Sequence, residues 1–144
     1  MTVRLAGRRG LPQVDRRRLR RRAGAILRAV DRPDAELSVA LVGDAEMAEL
    51  NERYRGIDRT TDVLSFSLLE GPHPDRRGNL LGDVVVSLET AERQARRGRR
   101  DLDVEVLRLL IHGVLHLLGY DHEERDEARA MRAEERRVLR AVSP

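Results

Sequence analysis

Apolar and polar residues follow two periods along this chain, and the changes of period mark its elements. Residues 2–6 predict a short strand. From Val14 to Val30 the apolar positions Val14, Leu19, Ala23, Ile26, Leu27 and Val30 fall on one helical face, with arginines on the other. Leu37–Val42 is apolar at nearly every residue and predicts a buried strand. Asp44 is placed to cap a helix reaching about Arg55, with Met47, Ala48, Leu50 and Tyr54 as its apolar positions. Val63–Leu69 and Leu80–Leu88 predict strands. The turn-rich stretch between them, Gly71 to Asn79, holds His73, expected to be an exposed turn residue. A helix is expected over Glu89–Arg97, ending near Gly98. Asp101 can cap a long helix to Leu118, closed by Gly119 in the left-handed conformation. A last helix covers about Glu123–Val142. Strands interleaved with helices indicate an α/β (α+β) fold built around one sheet. With 144 residues and no low-complexity linker or repeat, residues 1–144 read as a single domain.

Composition narrows the function classes. All 28 basic residues are arginine, and there is no cysteine. That excludes a disulfide partner, a cysteine zinc finger and a thiol nucleophile. No apolar run approaches the ~20 residues of a membrane span, and Arg4, Arg8 and Arg9 interrupt any signal-peptide core. The expectation is a cytoplasmic protein with no membrane association. Net charge is +3, but it is unevenly spread. Residues 1–32 hold eleven arginines against two acids, and residues 33–92 hold five against thirteen. The basic helix at about 14–30 and the cluster Arg93, Arg96, Arg97, Arg99, Arg100 can meet a polyanion, or can be a solvated face.

The chemistry concentrates in residues 112–122. His112 and His116 are four apart on a predicted helix, so they lie about 40° apart around its axis and about 6 Å apart along it. Both imidazoles can converge on one ion. Gly119 ends the helix and lets the chain turn His122 towards the same point. Three neutral imidazoles with one open position describe a catalytic zinc site. The spacing is that of the metzincin proteases, whose general base is a glutamate directly after the first histidine. Here that position is Gly113, which keeps the metal and weakens the case for peptidase chemistry. Asp62 and Asp121 are candidates to accept the outer N–H of a ligating imidazole. Asp83 is an unusual charge within a predicted strand. Tyr120 is a candidate to stack on a base or to pack over the helix end.

The segment His112-Gly113-Val114-Leu115-His116-Leu117-Leu118-Gly119-Tyr120-Asp121-His122 resembles the signature of the YbeY family, bacterial rRNA maturation factors that are single-strand-specific metallo-endoribonucleases. Two further blocks are similar to that family: Leu50–Asp58 followed by Thr61–Phe66, and Leu81–Val84 with the strand after it. Together they span about residues 36–135. Two positions depart from the family pattern: Ser67 stands in place of a proline, and Arg59-Thr60 in place of a basic–proline pair. The resemblance implies a mixed sheet of about four strands with about five helices and a metal cleft beside the histidine-bearing helix. It implies His112, His116 and His122 as zinc ligands, one ion per chain, and Arg55 as the cleft arginine acting on RNA, with Arg59 next. The four residues Arg55, His112, His116 and His122 form the expected catalytic set. The implied function is a zinc-dependent endoribonuclease acting on single-stranded and ribosomal RNA at the ribosome, in maturation of the small-subunit rRNA 3′ end and in ribosome quality control. Two alternatives compete: a metzincin-like metallopeptidase, and a non-catalytic ribosome-assembly factor with a structural metal, whose site His73 or a nearby carboxylate could close. With only Phe66, Tyr54 and Tyr120 aromatic, RNA binding would be chiefly electrostatic.

Overall fold

A computed structural model describes residues 2–67 and 80–143. His73, the turn-rich stretch around it and the end of the strand predicted to Leu69 lie outside the described residues. The elements run β1 (Thr2–Gly7), α1 (Arg16–Ala29), β2 (Glu36–Val42), α2 (Asp44–Arg55), β3 (Val63–Ser67), β4 (Leu80–Ser87), α3 (Leu88–Arg97), α4 (Leu102–Leu117) and α5 (Arg125–Val142). The five helices and the four-stranded mixed sheet agree with the reading of the sequence. The sheet order is β1-β2-β4-β3: β1, β2 and β4 are parallel, and β3 pairs antiparallel with β4.

The pleat sorts side chains to two faces. Leu37, Val39 and Leu41 of β2 and Val84 and Val86 of β4 join α1, α3, α4 and α5 in the main core. Val42 and Val85, with Leu64 of β3, turn to the opposite face and meet Met47 of α2. Four helices therefore cover one face and a single helix covers the other. α1 begins at Asp15, whose carboxylate accepts the Arg18 N–H at 3.0 Å. It buries Leu19, Ala23, Ile26 and Leu27, while its arginines stay outside except Arg18 and Arg22, which are half-buried.

α4 is the central element. It packs on β3 and β4 and touches α1, α3 and α5. Val106, Leu109, Leu110 and Leu117 are buried along with Leu107, Ile111, Val114 and Leu115. Burial on nearly every side is expected of a helix enclosed by a sheet and three helices.

Asp44 departs from its predicted part as helix cap. Gly43 holds the cap position in extended backbone, and the Asp44 N–H donates to Glu89 Oε1 at 2.7 Å. A Cβ on residue 43 would stand 2.6 Å from that carboxylate oxygen, so a larger residue there would displace the Glu89 side chain. The freed Asp44 carboxylate gathers the hydroxyls of Thr90 (2.6 Å), Ser87 (2.7 Å) and Thr60 (3.3 Å), and it pairs with Arg93 at 2.8 Å. It thereby ties α2, the β4–α3 junction and the loop before β3 together. Burial raises its pKa, but the hydrogen bonds from Arg93, Thr90 and Ser87 outweigh that and bring it down to about 2.

A depressed carboxylate contributes stability above its unfolded value of 3.8 and loses it as pH falls through about 2. Asp44→Asn should therefore cost on the order of 1–2 kcal/mol at pH 6, a figure that allows for partial exposure. The gap to the wild-type protein should close between pH 4 and pH 2 in urea-unfolding curves.

Candidate metal centre

The three histidines of the 112–122 segment come together. His112 and His116 project from the last turns of α4. Their ring centroids are 4.6 Å apart, and their Nε2 atoms are separated by 3.1 Å. The His122 centroid lies 5.9 Å from that of His112 and 5.3 Å from that of His116. One ligand atom from each falls within 4.8 Å of the others, so the three residues are placed to hold a metal ion.

Local backbone chemistry brings His122 round. The Gly119 N–H donates to the His116 carbonyl at 3.0 Å, and the Tyr120 N–H to the Leu115 carbonyl at 3.0 Å. This pair of bonds is the Schellman closure, and Gly119 supplies the positive φ it needs, +99°. The chain then reverses. Asp121 Oδ1 accepts the His122 backbone N–H at 2.7 Å. Asp121 thus acts on the backbone of a candidate ligand. Asp62 accepts from the Val63 N–H (2.8 Å) and from Gln94 Nε2 (3.2 Å). A carboxylate beside an imidazole comes from α5: Glu135 Oε2 stands 3.5 Å from His112 Nδ1. The sequence alone does not reveal it, because only the return of α5 along α4 sets the two side by side.

The donor set suits a metal. His116 is half-buried and its pKa lies below the ordinary 6.5, first because burial disfavours the charged ring and then because His112 and His122 stand nearby. It is held as the neutral ligand form. Two Nε2 atoms 3.1 Å apart are near the ~3.3 Å expected for two nitrogens ~2.05 Å from one tetrahedral ion.

The histidines open into a cleft of about 710 Å³. Arg55, Arg59, Thr60, Asp62 and Ser65 line one side, and Tyr120, Asp121 and Glu123 line the other. Arg55 is the last residue of α2, directly before Gly56 in the left-handed cap conformation, and its side chain is exposed. The loop carrying Arg59 is held from below by Asn51, 4% exposed, which donates to the Arg59 carbonyl at 2.9 Å. A sequence signal for Asn51 existed: a polar residue one turn after Met47 on the buried side of α2. Tyr120 packs against the main core and donates its hydroxyl to Glu134 at 3.1 Å. Asp83 is half-buried in β4 opposite Phe66.

The structure also explains residue 113. Ser65 Oγ donates to the Gly113 carbonyl at 2.9 Å. A Cβ on residue 113 would meet Val84 Cγ1 at 2.7 Å and Ser65 Oγ at 3.1 Å. The position occupied by a glutamate in metzincin proteases here faces the sheet and not the cleft.

A family model described as Endoribonuclease YbeY matches residues 9–143. This chain belongs to the YbeY endoribonuclease family. The Endoribonuclease YbeY of Anaeromyxobacter sp. (strain Fw109-5) is 52% identical over 141 residues, covering 98% of this chain and 72% of that protein. The Endoribonuclease YbeY of Geobacter sulfurreducens is 41% identical over 141 residues, covering 96% of this chain and 94% of that one. The solution structure of TM1509 from Thermotoga maritima is similar at a TM-score of 0.67 and 31% identity, covering 98% of this chain and 89% of that one. The YbeY resemblance, first seen in three short blocks, thus extends over nearly the whole chain. Among the described residues no helix is long and apolar enough to cross a membrane.

Two outcomes follow from the site. In an ordinary helix Gly→Ala stabilises by about 0.5–1 kcal/mol. Gly113→Ala should instead destabilise by about 1–3 kcal/mol in denaturant unfolding, because the added methyl would stand 2.7 Å from Cγ1 of the fully buried Val84. Metal loading should fall as pH is lowered through the imidazole range, since protons compete for the same nitrogens. Equilibrium dialysis from pH 8 to pH 5 reads this directly.

Proposed function

We propose that this protein is a zinc-dependent, single-strand-specific endoribonuclease acting in ribosomal RNA maturation. The observation that carries the reading is the convergence of His112, His116 and His122 in an open cleft that Arg55 and Arg59 also line. Family membership supports RNA as the substrate. Zinc is favoured because imidazole nitrogens at near-tetrahedral spacing suit it, and three ligands leave one position for substrate or water. The ribosome as partner, the small-subunit rRNA 3′ end as target, a part in ribosome quality control and a cytoplasmic location follow from what the family resemblance implies.

His112, His116 and His122 would hold the ion as neutral ligands, leaving its full charge for the substrate. The metal, when bound, supplies a Lewis acid for a phosphoryl oxygen and a means of making hydroxide near neutral pH. Arg55 binds the phosphate from the facing side of the cleft and offsets charge gathering on its oxygens during displacement. Arg59 steers the strand, its loop held by Asn51. Asp121 keeps His122 turned inward through its backbone. Gly113 favours this reading over a metallopeptidase, because the helical position that would carry a carboxylate base packs against Val84. The openness of the cleft favours a catalytic ion over a purely structural one.

The test strips the protein with chelator, restores zinc and offers labelled single-stranded RNA, duplex RNA and an unfolded peptide. Cleavage of single-stranded RNA alone is the expected result. His116→Ala should abolish it together with metal binding. Arg55→Ala should lower kcat about 10²-fold with the metal still bound. Peptide cleavage would move the assignment to the metallopeptidase, and bound zinc with no cleavage of any substrate would move it to an assembly factor.

A further inference from the structure

We infer that Glu135 is the positioning residue for His112, its carboxylate receiving the Nδ1–H so that Nε2 presents its lone pair to the cleft. The inference rests on the metal-centre reading above and adds to it a residue from a different helix.

The geometry is directional. His112 Nε2 faces His116 Nε2 at 3.1 Å, so Nε2 is the nitrogen on the cleft side. Nδ1 points away from the cleft, and Glu135 Oε2 stands 3.5 Å from it. Neutral imidazole carries one proton, and a carboxylate at Nδ1 draws that proton to Nδ1 and leaves Nε2 free to ligate. Both side chains are largely withdrawn from water, 28% and 31% exposed, which strengthens the interaction over a surface pair.

Three of the other acids near the site hold groups other than His112. Asp62 holds Gln94 and the Val63 N–H, and Asp121 holds the His122 N–H. Glu134 accepts from Tyr120 and pairs with Arg137. Among the described residues Glu135 has no partner except His112. The register of α5 is set independently. Met131, Val138 and Val142 are buried, and Arg137 donates to the Ala29 carbonyl of α1 at 2.8 Å. Residue 135, one turn beyond Met131, is thereby aimed at α4 by packing that does not involve the metal.

Four proteins decide the matter: wild type, Glu135→Ala, Glu135→Gln and Glu134→Gln. Zinc affinity is measured by competition with a chromophoric chelator, and the His112 tautomer by ¹⁵N imidazole spectra of the metal-free protein. Glu135→Ala should lose about 10- to 100-fold in zinc affinity and show His112 as a mixture of tautomers. Glu135→Gln keeps the shape and an acceptor oxygen without the charge. It should recover part of the loss, and it carries the test if the alanine variant fails to fold. Glu134→Gln loosens the neighbouring turn of α5 without contact to His112, and should keep wild-type affinity and a single tautomer. Unchanged affinity and tautomer in Glu135→Ala would overturn the inference while leaving the metal centre intact, and so would an equal loss in Glu134→Gln. Failure of the wild-type protein to bind zinc would overturn both.

Discussion

The helix that carries two of the three histidines lies directly on the sheet, and the rest of the site depends on that contact. Without a side chain at Gly113, the α4 backbone comes within hydrogen-bonding distance of Ser65 on β3 and rests on Val84 of β4. Gly82, at φ +151°, repeats the device one strand position away: a Cβ there would meet the Phe66 carbonyl at 2.5 Å and Leu117 at 2.8 Å. Once α4 is seated this closely, Leu110, Val114 and Leu115 are fully buried, each worth about 1.5–3 kcal/mol of apolar burial. His112 and His116 are left at the margin of the core, half-buried and facing one cleft. The helix that would admit a glutamate after His112 would have to stand further from the sheet.

The acidic middle of the chain serves the fold as much as the cleft. Asp44 collects hydroxyls from the β4–α3 junction and from the loop that leads to Asp62 and β3. Asn51 does the same from the other side by holding the Arg59 carbonyl. Two polar anchors thus shape the wall of the cleft opposite the histidines, where Arg55 and Arg59 stand. A polar group buried in this way must be bonded, and the bonding partner becomes fixed in turn.

Part of the arginine excess has structural work. Arg137 joins α5 to the end of α1, Arg100 pairs with the nearly buried Glu105 at 2.9 Å, and Arg18 reaches Asp103 at 3.4 Å. Arg137 and Arg18 hold helices to one another and Arg100 holds the turn before α4 to that helix, so the charge surplus of the sequence overstates the surface free for a polyanion. Arg55 and Arg59 differ, since both line the cleft.

The sequence by itself determined the element order, the mixture of strands and helices, and the three-histidine cluster. Each rests on local chemistry: period of apolar residues, helical spacing of four, and a glycine where the chain must take positive φ. It also pointed to the family, through short blocks that the whole-chain match extends. Only the tertiary structure decided which carboxylate stands behind His112, what Asp44 binds, and why residue 113 is glycine. Asp62 and Asp121 were the acids the sequence suggested, yet Glu135 is the one that stands 3.5 Å from the His112 ring, because helix packing places α5 against α4. Asp44 looked like a helix cap because aspartate favours that position, but Glu89, 45 residues away, takes the amide instead. Distance along the chain says little about which polar groups meet across a packed core, and those meetings set the geometry of this site.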